Sequence, residues 1–174
     1  MDNRRVTDAK KISLSGIMLA FTVISLFLAT VVPTNTLSFY ALSSFFVAIV
    51  VLQLGIKSGW IFYFASSLLS FILLPDKAGL IPYLAFFGLY GIIKFYIERL
   101  NKNVLEYILK IGYFNFSLLL ALLFLKQFFL ERIKVDFPWW VIILALEIAF
   151  IAYDYVYTLV IQYYNTKLKR KLGM

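Results

Sequence analysis

Apolar residues fill this chain in six long runs, at about 12–32, 37–55, 58–74, 80–97, 104–129 and 139–164, with short polar breaks between them. A helix needs about 20 apolar residues to cross a bilayer, so each run predicts a transmembrane helix, the third being the shortest. The breaks have physical causes. "VVPTNTLSFY" holds Pro33 and Asn35, "LGIKSGW" sets Lys57 between glycines, and "LPDKAG" is a short turn. "ERLNKN" is a charged turn, and "LERIKVDFP" is a charged loop closed by Pro138. Lys57 between its glycines keeps the second and third runs from reading as one. Pro75 and Pro82 end one helix and open the next. The fold class expected is all-α: a polytopic membrane bundle of six helices forming a single domain over residues 1–174.

Composition names the solvent. Of 174 residues, 63% are hydrophobic and 15% charged, and the mean hydropathy is +0.88. A soluble domain is nearer half apolar and a quarter charged, so it would have no interior for this surplus. The chain has no cysteine and no histidine. Disulfides, His/Cys zinc sites, thiol catalysis and Ser–His pairs are therefore excluded. No glycine-rich phosphate loop, metal constellation or paired-carboxylate site is present, so no catalytic residue, metal or cofactor is expected. The net charge of +8 sits mostly at the ends and in short loops, which fits membrane topology better than nucleic-acid binding.

Arg4, Arg5, Lys10 and Lys11 precede the first run, which is long enough to span and lacks a small-residue cleavage site. It reads as a retained helix rather than a removable signal peptide. One side of the bundle collects these residues with Lys57, Arg99, Lys102 and the "KLKRK" tail at 167–171. The other side collects Lys77, Arg132 and Lys134, plus an uncharged first loop. The positive-inside rule makes the first side cytoplasmic, with both termini inside. Trp139 and Trp140 then open the last helix at the outer interface, as an aromatic belt would.

Charges inside spans are costly and mark a functional path or a structural pair. At 1.5 Å per residue from Trp139, Glu147 lies roughly 12 Å deep and Asp154 roughly 22 Å; Lys94, counted from Leu80, lies roughly 21 Å deep. Equal depth pairs Lys94 with Asp154 as a structural ion pair. Snorkelling, or pairing with Glu98 one turn on, are the alternatives for Lys94. Glu147 has no basic residue at its level. It is left to contact a polar or cationic ligand, to sit protonated, or to bond Asn115 or Ser117 on the fifth span. Asp76 and Lys77 read either as a solvated turn or as the rim of a site. Gly16 and Ala20 in the first span form a small-xxx-small pair that would let another helix approach closely.

With about 175 residues, six spans, both termini inside and a small-xxx-small pair early in the first helix, the chain resembles the substrate-binding S components of energy-coupling factor transporters. The likeness is strongest from "SGIMLAFTVISLFLATVVPTNTLSFY" through "LLPDKAGL". It implies capture of a vitamin or related small nutrient under the outer loops, with Asn35, Tyr40, Asp76, Lys77, Glu147 and Trp139 near the ligand by position. It also implies that Gly16 and Ala20 contact the membrane coupling subunit of an energising module that carries cytoplasmic ATPases. The setting it implies is a bacterial plasma membrane, with the lipid bilayer and a small-molecule substrate as further partners and no nucleic acid. The other reading is a non-transporting scaffold that resembles the small rod-shape protein MreD.

Overall fold

The structure is a computed structural model describing residues 8–100, 102–129, 139–164 and 166. The six runs become six membrane-length helical segments, and no strand occurs among the described residues. Helix α1 spans Asp8–Val31, α2 Thr36–Leu54, α3 Ile56–Leu73, α5 Asn103–Phe129 and α6 Trp139–Tyr163. The fourth span is composite: a 3-10 turn at Ala78–Leu80, a π-helical turn at Tyr83–Phe87, then α4 over Gly88–Glu98. The chain is a multi-pass membrane protein built as an all-α bundle. Six successive spans return the chain to the face on which it starts, here termed the terminal face, where Gln53 near the end of α2 bonds Tyr164 just past α6. The α1–α2 and α3–α4 connections lie on the far face.

Helices α2 and α3 are joined by Gly55 alone, at φ +87° and ψ 170°. That backbone region is essentially restricted to glycine. The Gly55 amide caps α2 on the Val51 carbonyl (3.0 Å), and its carbonyl receives the Gly59 amide of α3 (3.1 Å). The sharp reversal thus completes hydrogen bonds at both helix ends.

Half of the fourth span is buried (50%), against 11% of the spans holding α5 and α6. The centre is therefore α2 and the fourth span, with α1 and α3 closely packed around them and α5 and α6 at the periphery. Leu26, Val47, Val50, Leu80, Tyr83 and Ile92 are fully buried. Outward faces keep Ile61, Phe64, Leu68, Leu119 and Ile148 exposed, as lipid contact requires. Lipid is as apolar as leucine, so close packing at small residues holds such a bundle together. Gly91 of α4 supplies one such approach: a Cβ there would overlap the Tyr157 hydroxyl and lie 3.5 Å from the Ala48 amide nitrogen.

The π turn follows Pro82, and its wider winding presents carbonyls to neighbouring helices. Tyr63 of α3 donates to Leu84 O (3.0 Å), and Tyr113 of α5 donates to Ala85 O (3.2 Å). The Tyr83 hydroxyl pairs with Ser66 Oγ (2.6 Å).

Candidate functional site

Four charged side chains from three helices close into a ring. Lys94 and Glu98 are one turn apart on α4 and paired at 3.0 Å. Glu98 also meets Lys110 of α5 at 3.0 Å, and Lys110 meets Asp154 of α6 at 3.2 Å. A direct Lys94–Asp154 contact completes the circuit. Tyr90 donates to Asp154, and the Lys94 ammonium also donates to Thr158 Oγ1 (2.9 Å). The same ammonium lies 5.8 Å from the Tyr90 ring centroid and 5.7 Å from that of Tyr157. Two cations and two anions make the ring formally neutral, which limits the cost of holding it in the bilayer. It lies toward the terminal face, at a crevice of about 550 Å³ between α5 and α6.

Nearer the far face, a second cavity of about 320 Å³ lies among α2, the π turn, α5 and α6. Phe86, Phe87, Phe114, Phe150 and Tyr153 supply its aromatic walls. Phe114 and Phe150 stack at 4.5 Å with 8° between their planes. Phe150 lines both cavities and so stands between them. Of its lining residues, Leu37 in the first turn of α2 and Ala149 of α6 are exposed. Ser117 Oγ in the lining is buried and makes no hydrogen bond.

Of the residues expected near a ligand, Asn35, Tyr40, Asp76, Lys77 and Glu147 do not line this chamber. Tyr40 is buried, stacks on Phe87 with centroids 5.4 Å apart, and donates to the Gly79 carbonyl, tying the α3–α4 connection to α2. Asp76 accepts the Ala78 amide (2.9 Å) and so shapes the start of the 3-10 turn. Lys77 folds back onto the last carbonyls of α3, reaching Leu74 O at 2.7 Å and also Phe71 O. The adjacent acid and base thus finish two different helical ends. Asn35 is exposed beside the start of α2. Trp139 opens α6. Glu147 accepts from Asn115 Nδ2 at 2.6 Å, an interhelical bond between α6 and α5. Gly16 and Ala20 are exposed on α1, and nothing lies within 4 Å of a Cβ built at Gly16. Arg132, Lys134 and the tail at 167–171 lie outside the described residues.

Sequence reasoning missed Lys110 and the chamber. The signal for Lys110 was depth counted from the terminal face: seven residues into α5 is about 10 Å, and Asp154 lies nine residues from the end of α6, about 13 Å. Among the described residues, no group of three or more His, Cys, Asp or Glu is placed to hold a metal ion. No family model, no curated protein and no solved structure matches this chain.

Proposed function

We propose that this chain is the membrane substrate-capture module of an uptake transporter of the energy-coupling-factor kind, in a bacterial plasma membrane. It binds a small nutrient or vitamin-like solute from outside. A membrane coupling subunit with cytoplasmic ATPases then drives release inward. The observation that carries this reading is the aromatic chamber among four helical segments, which reaches Leu37 in the first turn of α2. By the Lys/Arg distribution the far face is external, so the Leu37 end of the chamber lies on the side of solute supply. The exposed Gly16 and Ala20 on α1 leave a narrow-shouldered face for a coupling partner.

Native mass spectrometry of gently extracted protein tests the reading, because it detects ligand and partners together. The expected result is a retained small molecule that is lost in Ala41→Trp, which fills the chamber from α2, at an unchanged melting temperature. Replacing Gly16 and Ala20 together by Leu should loosen the partner complex and leave the ligand in place. Protein partners with no small molecule would instead favour the scaffold reading.

A further inference from the structure

The crevice beside the charged ring reaches inward from the level of the lipid headgroups. Helix α5 has 27 residues and is about 40 Å long, so each end runs about 5 Å past a hydrocarbon core of about 30 Å. Glu106, three residues past the start of α5, is about 4.5 Å in and sits at that boundary. Lys110 lies one turn deeper. The crevice also faces lipid sideways, because its lining residues Tyr107 and Ile111 of α5 and Ile151 and Tyr155 of α6 are all exposed.

Charge is uneven in this crevice. Its lining holds three carboxylates, of Glu98, Glu106 and Asp154, against one ammonium, of Lys110. Lys94, buried behind them, balances a second carboxylate. The ring is neutral without Glu106, and Glu106 has no ion-pair partner among the described residues. One negative charge is left over in a groove whose flanks are apolar and lipid-facing. An incoming cation is favoured there, and a headgroup with phosphate as its sole charge meets a surplus of its own sign. Lipid covers this face in any membrane, and a primary ammonium on its headgroup brings three N–H donors to the carboxylates.

We propose that the crevice binds an aminophospholipid of the phosphatidylethanolamine type, with its ammonium at Glu106 and Glu98 and its acyl chains along Ile111 and Ile151. The site is independent of the solute chamber. It is also independent of which face is cytoplasmic, since both leaflets have a headgroup layer.

The test titrates the purified full chain in detergent micelles with phosphatidylethanolamine, phosphatidylcholine and phosphatidylglycerol carrying identical dioleoyl chains. Native mass spectrometry reads the affinity of the first lipid bound. Phosphatidylethanolamine should bind about fivefold more tightly than phosphatidylcholine, which has the same net charge but no N–H donor, and phosphatidylglycerol should bind most weakly. Glu106→Gln should bring phosphatidylethanolamine down to the level of phosphatidylcholine at the parental melting temperature. Ile151→Trp narrows the crevice from an exposed position without touching a charge, and should weaken phosphatidylethanolamine alone. Equal affinities for the three lipids would mean annular contact only and would overturn the site. Tighter binding of phosphatidylglycerol, or a Glu106→Gln variant that keeps the parental preference, would overturn the choice of headgroup. A retained protein partner, in place of lipid, that is lost in Glu106→Gln would overturn it too, by giving the crevice to a partner's basic side chain.

Discussion

Removing charges from the ring in different pairs should give opposite results, depending on what charge is left behind. The Lys94 side chain is 1% exposed and touches both acids, so Lys94→Met leaves Asp154 and Glu98 sharing Lys110 alone. The expected cost is about 3 kcal/mol, the low end for breaking a buried pair, because Lys110 still holds both carboxylates. Glu98 is 37% exposed, and solvent screens it, so Glu98→Gln should cost no more than about 1 kcal/mol. Lys94→Met combined with Asp154→Leu removes one charge of each sign and leaves the Glu98–Lys110 pair intact. That double variant should fall short of the sum of its singles by about 1–3 kcal/mol. Lys94→Met combined with Lys110→Met strands two carboxylates together and should cost at least the sum. Equilibrium unfolding in mixed detergent micelles gives all the terms. If both doubles match their sums within about 0.5 kcal/mol, the four groups are independent and the ring is only a geometric coincidence.

Gly55→Ala should cost about 1–3 kcal/mol in the same unfolding assay, because alanine strains at φ +87°. Gly16→Ala, with open space around its new methyl group, should be neutral or slightly stabilising; equal losses at both sites would refute the backbone explanation. The chain has no cysteine, so Asn3→Cys and Lys77→Cys variants each carry a single thiol. An impermeant maleimide applied outside should label position 77 and spare position 3, and the reverse would invert the topology. Glu147→Gln keeps an acceptor for Asn115 and lies off the chamber lining. It should retain parental melting and ligand retention, and lost retention with normal melting would return Glu147 to the site.

The spans were legible because bilayer thickness acts on each run separately, and the breakers Pro33, Gly55 and Pro75 act locally. Depth counting brought Lys94 to Asp154 for the same reason: rise per residue is nearly constant along a straight helix. The contribution of Lys110 was hidden because a lysine near a helix end reads as a snorkelling residue. The chamber was illegible for a different reason. Its walls are mostly Ala, Phe, Leu and Pro, the residues that fill any span, with one Ser and one Tyr, and the space among them depends on how four segments pack. Asn115 and Ser117 were interchangeable in sequence as partners for Glu147. Two positions apart on a helix they lie about 200° around the axis, so one reaches Glu147 and the other turns into the chamber.

The closed ring bears on how the chain enters its membrane during synthesis. Helix α4 arrives with Lys94 and Glu98 one turn apart, so its charges can neutralise each other before any later helix exists. Helix α5 brings Lys110 and α6 brings Asp154, and neither finds its α4 partners until the helices meet. A nascent chain that has inserted α5 but not α6 carries a surplus positive charge at the ring. Partition of the last two helices into lipid is then coupled to their assembly on α4, and the final span completes the fold by bringing in the missing anion.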